Sequence, residues 1–194
     1  MRRREFITLL GGAATWPFAA RAQQMPVIGV LGAAPALIGE KRMLPFHRGL
    51  SENGYTEGQN VAVSYLRAEG QYDRLAMLAA DFVRRQVSVI ITPNSVAAAL
   101  AAKAATTTIP IVFSVTADPV RLGLVSSLAR PDGNATGVNF FITDLGAKRL
   151  GLLHELVPGA AIVAVLANPA NPVTELGLQD VQTAAGPVAG VVGK

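Results

Sequence analysis

The sequence predicts an α/β fold built on a doubly wound parallel sheet. Short apolar runs alternate with longer Ala- and Leu-rich stretches of helical periodicity, which is the pattern of strands and helices that alternate around such a sheet. Hydrophobic residues make up 51% of the 194-residue chain, which is enough for a core on both faces of the sheet.

The predicted strands are the short apolar runs, and the predicted helices are the periodic stretches between them. Strands are expected at 27–31, 61–66, 87–92, 111–114, 136–140 and 161–166. Helices are expected at 41–53, 72–85, 95–105, 118–128 and 144–156. Gly54 suits the left-handed position after the first helix, and Pro119 is tolerated at the first position of the fourth. The tail at 186–194 has too many glycines and prolines for a helix and receives no element.

The loops that follow the strands are where function is expected, because ligands of parallel α/β sheets bind beyond the carboxyl ends of the strands. Such loops occur at 32–35, 93–95, 115–118 and 168–172, and most of them are polar. A helix that starts there offers unpaired N–H groups and a partial positive charge to a carboxylate or phosphate. Asn94, Ser95 and Asp118 can equally be interpreted as helix caps.

The first 24 residues have the layout of an export signal. Arg3 and Arg4 precede Phe6 and an apolar stretch, and the small residues Ala20 and Ala22 stand where a signal peptidase would cut. The order is similar to a twin-arginine signal cleaved after Ala22, with a Sec signal or a basic amphipathic N-terminus as the alternatives. The apolar stretch is too short for a transmembrane anchor. The mature protein is therefore expected in a periplasm, after passage through the twin-arginine export machinery.

Charge and cysteine content exclude several classes of function. The formal net charge is +4, but four of the arginines lie in the export signal, so the mature chain is nearly neutral and nucleic acid is not an expected partner. The lack of cysteine excludes disulfides, a cysteine-bound metal and a lipid anchor on an N-terminal cysteine. His47 and His154 do not have metal-ligand spacing, so no metal is expected.

Enzyme motifs are also missing from the sequence. Gly29 and Gly32 lack the third glycine and the acidic residue of a dinucleotide-binding fingerprint, and no nucleoside triphosphate loop occurs. Ser126 and Ser127 lack the flanking glycines of a nucleophile elbow. We therefore expect no catalytic residue, no cofactor and no enzyme activity, with a Rossmann-like enzyme as a disfavoured alternative.

Ordered motifs along the chain resemble those of one protein family. They include EGQNV at 57–61, AEGQYDRL at 68–75, IPIVF at 109–113, DPV at 118–120, LGAKRL at 145–150 and NPANP at 168–172. With them the chain, from the signal to about Thr183, resembles the tryptophan/tyrosine-type substrate-binding proteins of ABC transporters, which have the type I periplasmic-binding fold.

The resemblance implies a two-lobed receptor that closes around a small solute, such as an aromatic amino acid, and delivers it to ABC permease subunits in the inner membrane. Residues 25–141 would form the first α/β lobe, and residues 142–194 the crossover helix and part of the second. Ligand contacts are implied by position for Ser95, Val96, Thr116, Asp118, Asn139 and Asn168. Ala33 and Ala34 stand where the family often has hydroxyl residues, which would leave backbone N–H groups for the ligand. No cofactor is implied.

Members of that family are considerably longer than this chain, so a truncated or frameshifted sequence is expected. Residues 142–185 would then expose apolar faces meant for absent partners. The alternative function is an exported interaction or sensor-like α/β module that holds no solute and dimerises through its unfinished face.

Overall fold

The computed structural model describes residues 25–142, 145–160, 162–185 and 192–193, and for residues 36–42 and 192–193 it describes the backbone alone. The residues of the expected export signal, Arg3, Arg4, Phe6, Ala20 and Ala22, lie outside the described residues, as does most of the tail at 186–194.

Five parallel strands form the central sheet, and their spatial order is β2-β1-β3-β4-β5. The strands are β1 (Val27–Gly32), β2 (Ala62–Arg67), β3 (Val89–Thr92), β4 (Ile111–Val115) and β5 (Ala135–Asn139). Each starts and ends within two residues of its predicted bounds. The register places Val30 beside Tyr65 and Gly32 beside Arg67 on the first two strands.

Helices cover both faces of this sheet, which confirms the predicted doubly wound α/β class. They are α1 (Ala36–Glu52), α2 (Leu75–Arg84), which follows a 3-10 turn at Tyr72–Arg74, and α3 (Val96–Ala105). Helices α2 and α3 pack with Leu31, Ile90 and Ile111 on one face, and α1 packs through Met43 on Ile28 and Val30 on the other. Strand β1 is buried through its middle on both faces, which explains why its sequence is apolar without polar alternation.

Helix α1 begins at Ala36, so the predicted start at residue 41 is wrong. The helix also passes through Pro45, which removes one backbone hydrogen bond from the helix interior. Met43 is buried and Phe46 packs beside it on the sheet, so tertiary packing outweighs the local penalty of the proline. The end of the helix is as predicted, because Gly54 has a φ of +81° and follows the last turn.

The helix predicted at 118–128 is wrong as well, because the chain forms turns there. A single helical turn starts when the Leu122 amide donates to the Asp118 carbonyl at 3.0 Å. Gly123 then adopts a φ of +70°, which ends the helical path. Leu124 and Val125 are thereby directed into the core, where both are buried.

The remaining elements are α4 (Gly146–Leu156), β6 (Ala164–Val165), α5 (Thr174–Ala185) and β7 (Val192–Gly193). Strand β6 is shorter than the predicted 161–166 and pairs in parallel with β7, while α5 has no predicted counterpart. Apolar side chains are exposed in this part of the chain, most fully Leu156 and Leu166. Within the described ranges, none of the helices is both long and apolar enough to cross a membrane.

Candidate functional site

The strand order creates a crevice at the carboxyl edge of the sheet. From β1 the chain crosses to β2 on one side, whereas β3, β4 and β5 follow one another on the other side. The loops after β1 and β3 therefore run in opposite directions, and the space between them is the usual ligand site of a doubly wound sheet.

A cavity of about 350 Å³ occupies this crevice, which is within the size range of small-molecule sites. Its walls come from the loops after β1, β2, β3 and β4, from β2 itself, and from the turn before α5. The lining residues are Val30, Gly32, Ala33, Ala34, Pro35, Met43, Tyr65, Arg67, Gly70, Tyr72, Pro93, Asn94, Ser95, Val96, Ala97, Thr116, Asn168, Asn171 and Val173.

Six of the residues predicted to contact a ligand line this one cavity. They are Ala33, Ala34, Ser95, Val96, Thr116 and Asn168. They come from four separate loops. The fold brings these loops together, as predicted from the carboxyl ends of the strands. Their role in binding stays a prediction.

Asp118 and Asn139 lie outside the cavity lining. Asp118 Oδ1 accepts a hydrogen bond from the Val120 amide at 2.8 Å, a contact within the turn that stands in place of the predicted helix. Asn139 lines a separate cavity of about 80 Å³ with Phe113 and Thr136. Its Oδ1 accepts from the Phe141 amide, and its buried Nδ2 has no hydrogen-bond partner among the described residues.

The start of helix α3 forms one wall of the cavity. Ser95 Oγ accepts a hydrogen bond from the Ala98 amide at 3.1 Å, so Ser95 is the N-cap of the helix. The amides of Val96 and Ala97 lie in the first turn, where no carbonyl of the same helix can accept from them. Both residues line the cavity, which therefore faces the positive end of the α3 dipole.

Replacing Ser95 with alanine is expected to lower the free energy of unfolding by about 1 kcal/mol, since the cap hydrogen bond to Ala98 is lost. Threonine keeps the accepting hydroxyl, so Ser95→Thr is the matched control and is expected to stay closer to the wild type. Urea unfolding followed by far-UV circular dichroism measures both. A Ser95→Ala variant as stable as the wild type would contradict the cap.

Hydrogen bonds between neighbouring loops fix the rim of the cavity. The Gly70 amide donates to the Ala33 carbonyl at 2.8 Å, which ties the loop after β2 to the loop after β1. The Asn94 amide donates to Ser114 Oγ at 2.8 Å, and Asn94 has a φ of +49°, a conformation that asparagine tolerates better than most residues. The rim is thus held by backbone geometry before any ligand arrives.

The wall that β2 contributes, with Tyr65 and Arg67, was not predicted from the sequence. Tyr65 OH lies 2.6 Å from His47 Nε2 on α1, and His47 Nδ1 lies 3.5 Å from Glu57 Oε2. Burial, assisted by the negative charge of Glu57 and opposed by Arg67, raises the pKa of Tyr65 above its usual value of 10.0. The phenol is therefore neutral at physiological pH and remains a hydrogen-bonding group beside the cavity. One sequence signal could have predicted this wall of the cavity. Tyr65 and Arg67 stand two residues apart at the end of a strand, so their side chains share one face of it.

The described residues show no constellation for metal chemistry, since no group of three His, Asp or Glu side chains among them could hold an ion. The site instead offers one guanidinium, free helix-start amides, hydroxyls, amides and aromatic rings. Such a set can bind and orient a small polar molecule.

The family model described as "ABC transporter substrate binding protein" matches residues 39–180. A relative named tyrosine-binding protein from Clostridioides difficile (strain R20291) is 32% identical over 129 residues, a stretch that covers 66% of this chain and 36% of the relative.

Solved structures share the fold. A conserved domain protein from Vibrio cholerae has a TM-score of 0.74 and 26% identity, with 88% of this chain and 57% of that chain covered. An ABC domain from Streptococcus pneumonia in complex with L-Trp also has a TM-score of 0.74, at 22% identity, with 87% and 56% covered, and supports the fold. The chain spans little more than half the length of these structures. By its family match, the chain belongs to the ABC transporter substrate-binding proteins.

Proposed function

We propose that this chain is the solute-binding component of an ABC import system and that it holds a small molecule, such as an aromatic amino acid, in the cavity at the carboxyl edge of its sheet. The observation that carries the proposal is the convergence of four strand-end loops on one cavity of about 350 Å³ at the switch point of the sheet. The named relatives add support, because one is called tyrosine-binding and one contains L-Trp.

The proposed contacts divide by chemistry. The amides of Val96 and Ala97, at the positive end of α3, would receive a carboxylate of the solute. Thr116 and Asn168 would hydrogen-bond its polar groups, and Ala33 and Ala34 would offer backbone rather than side-chain contacts. The aromatic rings and apolar side chains of the lining would pack on an apolar body.

In this proposal the chain works by binding and not as an enzyme. Residues 25–141 form the first lobe, and residues 142–194 contribute the crossover helix and part of a second lobe. A solute that contacts both lobes only in the closed state shifts a hinge equilibrium towards closure, and the closed form presents a different surface to the permease subunits. The site needs no covalent step or cofactor for this action.

The proposal also covers the compartment in which the chain acts. A solute receptor for import works outside the cytoplasm, and residues 1–24 have the order of a twin-arginine signal. We infer that the twin-arginine machinery exports the chain to the periplasm and that cleavage follows Ala22.

Blocking the cavity is expected to abolish solute binding. Ala34 is an exposed lining residue, so Ala34→Trp fills the cavity from its rim without entering the core. We expect L-tyrosine and L-tryptophan to bind the wild type in isothermal titration calorimetry, and Ala34→Trp to weaken that binding by at least about tenfold. Ala104→Trp is the matched control, because Ala104 is exposed on α3 and does not line the cavity.

Two outcomes would contradict the proposal. The first is the same affinity in Ala34→Trp as in the wild type. The second is equal weakening in Ala104→Trp, since the effect would then not depend on the cavity. Thermal unfolding of both variants separates a blocked cavity from a damaged fold.

A further inference from the structure

Among the residues whose side chains the structure describes, Arg67 is the only charged residue that lines the cavity, and no aspartate or glutamate of that set lines it. An anionic group in the cavity would therefore meet a positive side chain. A cationic group would be repelled by the same guanidinium.

The fold places Arg67 at this position through strand alternation. Arg67 is the last residue of β2 and lies beside Gly32 of β1, on the same face of its strand as Tyr65. A methyl group added at Gly32 would lie 3.7 Å from Arg67 Cγ, so the stem of the arginine borders the end of β1. Gly32, Tyr65 and Arg67 all line the cavity.

The guanidinium is held on an aromatic support. Arg67 Cζ lies 4.8 Å from the centroid of the Tyr65 ring, and the Tyr65 hydroxyl is 2.6 Å from His47 Nε2. A contact through the face of a ring is attractive for a cation but uses none of the N–H donors of the guanidinium. Those donors match the two oxygens of a carboxylate, because the guanidinium is planar and can bind both at once.

A second source of positive potential adjoins the same cavity, independently of β2. The first-turn amides of α3, at Val96 and Ala97, line it together with Arg67. The remaining wall includes the aromatic Tyr72 and the apolar Met43 and Val173. This combination suits a monoanion with an aromatic or apolar body.

We propose that Arg67 is a specificity-determining residue that binds the carboxylate of the solute, so that the substrate class is small aromatic carboxylates. The inference rests on the proposed function, since it assigns a role within the same cavity. His47 is a positioning residue in this account, because it holds the Tyr65 ring on which the guanidinium rests.

Three probes with one shared skeleton test the proposal. Tyramine has the 4-hydroxyphenylethyl body and an ammonium group, 3-(4-hydroxyphenyl)propanoate has the body and a carboxylate, and L-tyrosine has both. Isothermal titration calorimetry on the full chain measures each affinity. We expect the propanoate and L-tyrosine to bind at least about tenfold more tightly than tyramine.

The variants are Arg67→Met, Arg67→Lys and, as the matched control, Arg149→Met, which removes an exposed arginine of α4 that does not line the cavity. Arg67→Met is expected to weaken both carboxylate probes by about 10- to 100-fold, as expected for a lost charge-assisted hydrogen bond. Arg67→Lys keeps the positive charge but lacks the planar guanidinium. Its affinity for the carboxylate probes is expected to lie between those of the wild type and Arg67→Met. Arg149→Met is expected to bind like the wild type.

The outcomes separate this inference from the proposed function. If the probes bind the wild type and bind Arg67→Met and Arg67→Lys equally well, the role of Arg67 is overturned and the receptor function stands. Tyramine binding as tightly as the propanoate overturns the carboxylate class in the same way. If none of the three probes binds the wild type, both the inference and the proposed solute class are overturned.

Discussion

Replacing Phe82 with alanine is expected to lower the free energy of unfolding by about 3–5 kcal/mol. Phe82 is fully buried on α2, and its ring packs against β1 at Gly29. Among the described residues, Phe82 is the largest fully buried side chain, and the rigid sheet beneath it cannot move in to fill the space that the variant leaves. Urea unfolding followed by circular dichroism measures the loss.

Two further variants test whether the loss arises from this packing. Phe140→Ala removes the same side chain from an exposed position and is expected to cost less than about 1 kcal/mol. A methyl group added at Gly29 would lie 3.0 Å from the Phe82 ring, so Gly29→Ala alone is expected to destabilise. In the Phe82→Ala background the same methyl group enters the vacated space, so its effect is expected to shrink or reverse. Additive effects of the two changes would contradict the proposed contact.

Replacing Gly137 with alanine is expected to destabilise the sheet by about 3 kcal/mol or more. Gly137 on β5 pairs with Phe113 on β4, and an added methyl group would overlap the Phe113 carbonyl oxygen and approach ring atom Cδ2 to 2.6 Å. A backbone carbonyl in a paired strand cannot turn aside as a flexible side chain can. We therefore expect β5 to separate from β4, or the variant to be recovered in a partly unfolded state.

Gly49→Ala is the matched control for Gly137→Ala. Gly49 lies within α1, and an added methyl group there would meet no atom within 4 Å. Alanine is the better helix former, so the control is expected to be as stable as the wild type or up to about 1 kcal/mol more stable. Thermal unfolding of the two variants gives the comparison, and similar stability for both would contradict the close β4–β5 contact.

The centre of the sheet could be predicted from the sequence because β1 is buried on both faces. Such a strand must be apolar along its length, and this pattern is visible without any knowledge of the fold. The positions of the loops after β1, β3 and β4 could be predicted from the same runs. Their meeting at one cavity follows from parallel strands, whose carboxyl ends share an edge.

The contribution of β2 could not be predicted in this way, because apolar runs do not reveal the order of strands. Only the order β2-β1-β3 shows that the end of β2, with Tyr65 and Arg67, borders the same crevice as the loop after β1. Tyr65 is held by His47 of α1, which lies 18 residues earlier in the chain, and His47 in turn contacts Glu57.

Two helix predictions failed. At α1 the predicted start at residue 41 is too late, because the helix begins at Ala36. At 118–128 the local pattern favoured a helix, but Gly123 turns the chain so that Leu124 enters the core. In this second place tertiary packing decided the backbone path against the local signal.

Mapping the bound solute by NMR shows whether the strand-end loops form one solute site. The measurement is a titration of ¹⁵N-labelled full chain with L-tyrosine, followed through the backbone amide shifts. We expect the largest shift changes to cluster at Ala34, Asn94, Val96, Ala97 and Asn168, all of which line the cavity. Changes that instead cluster at Thr136 and Asn139, around the smaller cavity, or that leave the rim of the large cavity untouched, would contradict a shared solute site at these loops.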